Sequence, residues 1–341
     1  MDRKHFLSAL VTAGAAMPAF GAVATLSDER PTQVPPYLKA GSTVGITSPA
    51  GHITRDEIAP SVKLMESWGF KVVIGDTIGK SDFSFGGTDE ERYRDLQRML
   101  DDPQIDAIMC ARGGYGSARI VDRLSLEKFK KHPKWVIGFS DITVLHSHIA
   151  KQCSIATLHS KMCNSFPIDF SAADSMVQDT ILSIRDALTG KAMRYNAAAD
   201  PNNRIGKADG VLVGGNLSML VSVAGTRSEM DTKGKILFLE EVGEYLYSLD
   251  RMMGNLQRSG KLDQLAGLII GGFNRIKPDD PGEEFGRTLY DIVYEKVKDY
   301  KYPICFNFPV GHQRNNYALK CGVRHRLDVT AGGVKLEEVK R

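Results

Sequence analysis

Residues 135–151 of the chain read WVIGFSDITVLHSHIAK, an apolar run followed at once by a helical pattern. The run from Trp135 to Phe139 is typical of a buried strand, and the residues from Ile142 to Lys151 are predicted to form a helix. A strand that leads directly into a helix is the repeating unit of parallel α/β sheets. The segment therefore indicates an α/β fold. Its turn, Gly138-Phe139-Ser140-Asp141, lies at the strand end where such sheets bind ligands.

The residues on the N-terminal side of this segment repeat the same alternation. Strands are predicted over residues 42–47, 71–74 and 105–110, and helices over residues 56–68, 88–100 and 117–124. Strands that alternate with helices in this way are typical of a doubly wound, mostly parallel sheet. We therefore predict a Rossmann-like N-terminal domain over residues 36–165.

A second α/β block follows a less regular stretch. Residues 166–209 contain one predicted helix (172–188) and a polar run, and we interpret them as the connection between two domains. Residues 210–335 again alternate apolar strands with amphipathic helices, which predicts a smaller C-terminal α/β domain.

Composition excludes several classes of protein. Of the 341 residues, 42% are hydrophobic and 25% are charged, which is ordinary for a globular enzyme and excludes wholesale disorder. The net charge of +3 is too balanced for a protein held on nucleic acid by phosphate contacts. The five cysteines form no C-x-x-C pair, which excludes a zinc ribbon and a dense disulfide framework.

The first 24 residues have the features of a signal peptide. Arg3 and Lys4 form a basic start, an uncharged stretch follows, and Ala22-Val23-Ala24 has the small-x-small form of a signal peptidase site. Pro18 and the many small residues disfavour a membrane anchor. We predict an exported, periplasmic protein by the Sec or the twin-arginine route. The alternative is an ordinary N-terminal helix in a cytoplasmic protein.

The turn after the 135–139 strand is the first candidate site. A sharp strand-to-helix turn exposes the Ser140 hydroxyl beside backbone N–H groups that can stabilise an oxyanion. The second glycine of the usual nucleophile elbow is replaced by Ile142. Ser140 is thus a candidate nucleophile, and the alternative is that Ser140 or Asp141 only caps the helix.

A second candidate is the loop Arg112-Gly113-Gly114-Tyr115-Gly116-Ser117, which follows the 105–110 strand. Paired glycines let backbone N–H groups approach a bound anion. The spacing matches neither the dinucleotide fingerprint nor the P-loop, so no nucleotide cofactor is indicated. The alternative is that the glycines serve only a tight turn.

A base and an acid for Ser140 come from two distant segments. The strand Leu237-Phe238-Leu239 ends in Glu240 and Glu241, and Pro309-Val310-Gly311-His312 places a histidine in a glycine-containing turn. A serine nucleophile needs a base that takes its proton and an acid that orients the base. Among the other histidines, His132 and His325 lie in polar surroundings and are expected to be solvated. His52 and His159 remain alternatives to His312.

Taken together, five ordered motifs resemble the LD-carboxypeptidase family of serine peptidases, which includes muramoyl-tetrapeptide carboxypeptidases and microcin C self-immunity peptidases. The resemblance extends in order from about Gly41 to Asp328. The motifs are Ala111-Arg112-Gly113-Gly114-Tyr115-Gly116, Ile137-Gly138-Phe139-Ser140-Asp141-Ile142-Thr143, Gly214-Gly215-Asn216-Leu217, Phe238-Leu239-Glu240-Glu241 and Pro309-Val310-Gly311-His312.

This resemblance implies roles for individual residues. Ser140 would be the nucleophile, His312 the base and Glu240 the acid, with Glu241 as the fallback for Glu240. The match also implies a Rossmann-like N-terminal domain, a smaller β-rich C-terminal domain, a homodimer, and no metal or other cofactor. For the reaction, we expect the N–H groups of Gly114 and Asp141 to form the oxyanion hole. Arg112 and Asn216 are expected to contact the substrate.

The activity implied is that of a serine-type L,D-carboxypeptidase that releases the terminal D-alanine from murein tetrapeptides. Two alternatives remain open: a microcin C-type peptidyl-nucleotide amidase, and a non-catalytic protein that binds muropeptides on the same fold. The leader is a departure, because cytoplasmic members of the family recycle wall fragments and an exported one would meet the wall itself.

Overall fold

The structure, a computed structural model, describes residues 31–339; the predicted signal peptide, residues 1–24, lies outside the described residues. The strands are β1 (Thr43–Thr47), β2 (Lys71–Ile74), β3 (Ala107–Cys110), β4 (Trp135–Gly138), β5 (Thr157–His159), β6 (Arg194–Ala197), β7 (Gly206–Asn216), β8 (Ile236–Val242), β9 (Gly267–Asn274), β10 (Ile304–Cys305), β11 (Leu319–Cys321), β12 (Arg324–Thr330) and β13 (Gly333–Glu338). The helices are α1 (Arg55–Ser67), α2 (Asp89–Asp101), α3 (Ser117–Ile120), α4 (Glu127–Lys131), α5 (Thr143–Cys153), α6 (Ser175–Leu188), α7 (Leu217–Ser222), α8 (Leu246–Arg258) and α9 (Leu289–Val297).

The first sheet has six strands in the order β11-β5-β4-β3-β1-β2. Strands β1 to β5 pair in parallel, and β11 alone pairs antiparallel, through Leu319 opposite His159. Helices α1, α2 and α5 connect successive strands, as in a doubly wound sheet. The predicted Rossmann-like arrangement is confirmed, and the structure adds a sixth strand that comes from near the C-terminus.

The second sheet has seven strands in the order β10-β9-β8-β7-β12-β13-β6. Its β10-β9-β8-β7 half is parallel, and the β7-β12-β13-β6 half is antiparallel. This is the β-rich α/β part of the molecule that the family resemblance implied. The stretch 166–209, predicted as a connection, contains α6, β6 and the start of β7.

Buried side chains in the described part of the chain form three clusters around the two sheets. One cluster includes Trp135 and Leu158 of the first sheet together with Phe238 and Leu327 of the second, so the sheets share part of one core. The other two clusters cover the outer faces of the first and the second sheet, respectively. Burial of apolar area on this scale is the main stabilising contribution to folding.

Helix starts follow capping rules that can be read from the sequence. Thr54, Thr88 and Thr288 each accept the N–H of the third helical residue, whose acidic side chain accepts the N–H of the threonine in return. Loss of such a cap typically lowers stability by about 0.5–2 kcal/mol.

None of the helices described between residues 31 and 339 is long and apolar enough to cross a membrane.

Candidate active site

Ser140 lies where β4 turns into α5. A single 3₁₀ turn, Ser140–Ile142, joins the strand to the helix. The φ angle of Ser140 is 61°, a left-handed conformation that residues other than glycine rarely adopt. Such strain costs of order 1–3 kcal/mol and is concentrated at functional sites. The local geometry is therefore that of a strained turn that presents a hydroxyl, although the second glycine of the elbow is absent.

His312 is carried by a turn that approaches the end of β8 very closely. The turn is fixed by the N–H of Gly311, which donates to Asn316 Oδ1 at 2.8 Å. The φ angle of Gly311 is 104°, and a Cβ at this position would lie 2.5 Å from Glu240 Cβ. Only glycine fits here, since any side chain would be strained and would displace Glu240.

A bulge at the end of β9 makes room for this approach. The pairing of β8 with β9 is regular up to Leu239–Ile270 and resumes at Glu241–Phe273, so Gly271 and Gly272 together lie opposite Glu240. Gly272 pairs instead with Gly311 and donates its N–H to Val310. The glycine pair thus brings the His312 turn to the strand that carries the acid.

The three predicted triad residues meet in one chain of hydrogen bonds. His312 Nε2 lies 3.1 Å from Ser140 Oγ, and His312 Nδ1 lies 2.6 Å from Glu240 Oε2. The Glu240 side chain is fully buried, whereas the His312 side chain is 21% exposed. The imidazole is thus held between a buried carboxylate and a hydroxyl at the edge of the solvent. That is the arrangement of a nucleophile, a base and a group that orients the base.

Glu241, the fallback acid, points to the other side of β8. Its Oε1 accepts from Asn216 Nδ2 and from the Val242 N–H, both at 2.9 Å, and its Oε2 accepts from the Ser218 N–H at 2.7 Å. Burial raises the pKa of the Glu241 carboxyl. Because successive residues of a strand face opposite sides, only one of the two glutamates can reach His312. The structure places Glu240 there.

The Arg112–Ser117 loop borders Ser140. A Cβ on Gly113 would lie 3.1 Å from Ser140 Cβ and 3.3 Å from its Oγ, so the loop backbone lines the nucleophile. Asp141 Oδ2 accepts the N–H of Ser117, the first residue of α3, at 2.8 Å and so ties this loop to the turn after β4. Burial raises the pKa of the Asp141 carboxyl. The capping role predicted as an alternative for Ser140 or Asp141 is wrong, because neither the 3₁₀ turn nor the start of α5 has a side-chain capping bond.

The two predicted substrate contacts have different surroundings. Arg112 is exposed, and its Nη1 donates to the His52 carbonyl at 3.2 Å. Asn216 is 4% exposed; it caps α7 through Met219 and donates to Glu241. The substrate contacts of both residues stay predictions, and the structure adds a capping role for Asn216.

Gly215, the residue before Asn216, allows a close contact between the end of β7 and α5. A Cβ on Gly215 would lie 2.5 Å from Thr143 Oγ1 in the first turn of α5. The same Thr143 hydroxyl accepts the N–H of Asn216 at 3.0 Å. Gly215 and Asn216 therefore fix the end of β7 against the helix that follows the nucleophile.

Two predictions about the other histidines need correction. His325 is buried, not solvated, because the alternation of β12 turns it inward while Arg324 and Arg326 face the solvent. Burial lowers the pKa of His325 to about 4. His159, an alternative base, is fully buried behind Phe139, and burial holds its pKa well below the ordinary value. Neither histidine contacts Ser140. The exposure predicted for His132 is confirmed.

Two polar residues around the triad were missed by sequence reasoning. Lys161 Nζ donates to the Gln313 carbonyl at 2.6 Å, and Asn274 Nδ2 donates to the His312 carbonyl at 3.0 Å. Both residues hold the backbone of the His312 turn. Nothing in the local sequence signals these contacts, because each joins segments far apart in the chain.

Within residues 31–339, no group of three or more histidine, cysteine or acidic side chains is arranged to hold a metal ion.

Comparison with known proteins gives matches over most of the chain. Models of the LD-carboxypeptidase N-terminal and C-terminal domains match residues 44–160 and 209–327, respectively. The probable murein peptide carboxypeptidase of Bacillus subtilis is 32% identical over 296 residues, which cover 86% of this chain and 91% of that protein. The microcin C7 self-immunity protein MccF of Escherichia coli is 24% identical over 332 residues, covering 88% and 94%, respectively.

A solved structure agrees with the fold. The crystal structure of muramoyltetrapeptide carboxypeptidase from Oxalobacter formigenes matches with a TM-score of 0.78 and 25% identity, covering 87% of this chain and 99% of that one. The two domain matches, the 32% identical relative and the shared fold agree with the five motifs read from the sequence. The chain therefore belongs to the LD-carboxypeptidase family of serine hydrolases.

Proposed function

We propose that this protein is a serine L,D-carboxypeptidase that releases the terminal D-alanine from murein tetrapeptides. The observation that carries the proposal is the continuous hydrogen-bonded chain Ser140–His312–Glu240, built from two sheets. The relatives named as murein peptide and muramoyltetrapeptide carboxypeptidases support the substrate class.

The first half of the reaction forms an acyl-enzyme. His312 Nε2 takes the proton of Ser140 Oγ, and the oxygen attacks the carbonyl carbon between the L-centre (meso-diaminopimelate or lysine) and D-alanine. Glu240 holds the other ring nitrogen, so that Nδ1 carries the proton and the imidazolium is stabilised as it forms. His312 then gives its proton to the leaving amine, the C–N bond breaks, and D-alanine departs.

Backbone N–H groups would stabilise the negative charge on the substrate oxygen. Asp141 lies in the first turn after β4, where the N–H groups have no intrahelical acceptor, and Gly114 follows the glycine that lies against Ser140. Loss of one oxyanion donor typically lowers kcat by about 10²–10³-fold.

The second half of the reaction hydrolyses the acyl-enzyme. A water molecule activated by His312 attacks the ester, and Ser140 regains its proton as the shortened peptide leaves.

A carboxypeptidase must also recognise a terminal carboxylate. The Arg112 guanidinium is exposed beside the loop that borders Ser140, and its one hydrogen bond to the His52 carbonyl leaves other N–H donors for a carboxylate. We assign it this role.

Mass spectrometry of an N-acetylated L,D-tetrapeptide before and after incubation tests the proposal. We expect the loss of one alanine residue, stereospecific for the D-configuration, and no reaction with the Ser140→Ala variant. An aminoacyl-sulfamoyl nucleotide assayed in parallel tests the alternative suggested by the similarity to MccF. Preferential cleavage of that compound would make the protein a peptidyl-nucleotide amidase. Binding of tetrapeptide without any turnover would make it a muropeptide-binding protein.

We also propose that the protein is exported and acts as a homodimer. The basic start and the Ala22-Val23-Ala24 site support export. N-terminal sequencing of the natively expressed protein should begin near Thr25, and an intact Met1 in a cytoplasmic fraction would refute export. Sedimentation equilibrium of the mature chain measures the oligomeric state directly.

A further inference from the structure

Lys161 lies just beyond β5 and reaches the turn that carries the base. Its ammonium donates to the carbonyl oxygen of Gln313, the residue that follows His312, at 2.6 Å. It also lies 5.6 Å from the centre of the Phe139 ring, which in turn is 4.8 Å from the His312 ring. One side chain thus contacts the residue after the base and the residue before the nucleophile.

The buried carboxylate of Glu240 needs a compensating charge. It is fully buried, its Oε2 binds His312, and its Oε1 has no hydrogen-bond partner within residues 31–339. The imidazole of a resting triad is neutral, so it supplies no positive charge. Lys161 is a partly buried cation whose positive charge acts on Glu240, and burial lowers the pKa of Lys161 to about 8.

We propose that Lys161 is a positioning residue for the triad, which fixes the His312 turn through the Gln313 carbonyl and balances the charge of Glu240. This inference rests on the proposed function of Ser140, His312 and Glu240. In this role Lys161 does not touch the substrate; it acts through the geometry and the proton affinity of His312.

The sign of the electrostatic effect follows from the groups around His312. These are the Glu240 carboxylate on β8, the neutral His159 on β5, the Ser140 hydroxyl and the Lys161 ammonium. The Lys161 ammonium attracts Glu240 and donates to the turn that carries the ring, so removal of Lys161 leaves the attraction of Glu240 for the imidazolium unopposed. The proton affinity of His312 must then rise.

The experiment compares two variants of Lys161 with a matched control. Lys161→Met removes the charge and keeps an extended side chain, and Lys161→Arg keeps the charge. Lys134→Met is the control, because Lys134 is a buried lysine that, like Lys161, donates to backbone carbonyl oxygen and has its pKa lowered to about 8 by burial, but it lies at the opposite end of β4. All variants are made in the full chain.

The kinetic readout is kcat/KM for the N-acetylated tetrapeptide as a function of pH. We expect Lys161→Met to lower kcat about tenfold or more and to move the acid limb upward by about one pH unit. Lys161→Arg should keep both kcat and the acid limb close to those of the wild type. Lys134→Met should lower stability and leave the pH profile of kcat/KM unchanged. An unchanged acid limb in Lys161→Met, or a rise of KM alone, would overturn the proposal; the latter would make Lys161 a substrate contact.

A second measurement needs no turnover. NMR titration of the His312 ring in the Ser140→Ala background, with and without Lys161→Met, should give a higher pKa when the lysine is absent. An equal pKa in the two proteins refutes the role of Lys161 whatever the activity. A wild-type enzyme that leaves the tetrapeptide intact refutes the proposed function, and a raised His312 pKa in that case still supports the role of Lys161.

Discussion

Two neighbouring glutamates on β8 have opposite surroundings. On the triad side of β8, defined by Ser140, Glu240 and His312, the carboxylate has one hydrogen-bonded partner, the imidazole, and its second oxygen has none in the described chain. On the capping side of β8, defined by Asn216, Ser218 and Glu241, the carboxylate accepts three hydrogen bonds from N–H groups.

The difference shows how environment assigns roles to identical side chains. Glu241 is surrounded by donors that belong to the backbone and to a helix cap, so its two oxygens serve to hold β7, α7 and β8 together. Glu240 is held only by a group that itself gains and loses a proton. Its charge is therefore available to stabilise the imidazolium during the reaction.

The largest effect is expected from loss of the nucleophile or the base. Ser140→Ala and His312→Ala should each lower kcat by about 10⁴–10⁶-fold, because proton transfer and attack fail together. The double variant should be little worse than either single one, since the two groups act as a unit. Steady-state kinetics with the tetrapeptide measure all three. Multiplicative losses, or near-normal turnover by Ser140→Ala, would contradict the triad.

Glu240→Gln should lower kcat less than loss of the His312 base does. The amide still orients the ring, but it cannot stabilise the imidazolium, and it can hold the wrong tautomer. We expect a loss of kcat roughly 10- to 100-fold smaller than that of His312→Ala, with KM little changed. If Glu241→Gln proves the more damaging to kcat, the assignment of the two sides of β8 is reversed.

Gly311→Ala tests the close approach that keeps His312 on the triad side. The added Cβ would lie 2.5 Å from Glu240 Cβ at a backbone φ of 104°, so the turn or the glutamate must move. A displacement of about 1 Å can cost about 100-fold in rate. We expect a loss of that order in kcat, with a fall in melting temperature. Gly332→Ala, in an open turn with only Thr330 within 4 Å, is the control.

Much of the first sheet and the triad could be predicted from the sequence because their signals are local. The strand-helix alternation, the Gly-x-Ser turn and the glycine before His312 each lie within a few residues. The antiparallel strands β12 and β13 were missed because neither has the continuous apolar run of the predicted strands: their buried positions alternate with exposed polar ones, a pattern that also places His325 inside. Local reasoning left Glu240 and Glu241 as equal alternatives.

The remaining contacts depend on pairings distant in sequence. Lys161 meets Gln313 across 152 residues, and β11 reaches the first sheet from beyond residue 318. No local pattern specifies such partners. The bulge at Gly271-Gly272 is an intermediate case, since the glycine pair is visible in the sequence but its partner strand is not.

Glu241→Gln should mainly reduce stability. A glutamine has one acceptor oxygen, so one of the three N–H donors, from Asn216, Ser218 or Val242, would face an amide N–H₂ group. A buried donor left without a partner costs about 1–3 kcal/mol. We expect a loss of that size in urea unfolding, with kcat within about fivefold of wild type. Loss of activity without loss of stability would mean that the capping side takes part in catalysis.

The pH dependence of that stability loss is the smallest and most specific effect. Burial raises the pKa of Glu241 above its ordinary value in the folded state. Between the two values the folded state binds more protons than the unfolded state, so this group stabilises the fold at low pH, and its contribution falls as the pH rises. The amide introduced by Glu241→Gln does not titrate, whereas Asp141 and the buried histidines titrate in both proteins and cancel in the difference. The deficit of Glu241→Gln should therefore be larger near about pH 4 than near about pH 7. Urea unfolding of both proteins across that range measures it. A deficit that grows with pH would show that the three N–H donors outweigh burial and hold Glu241 in its charged form.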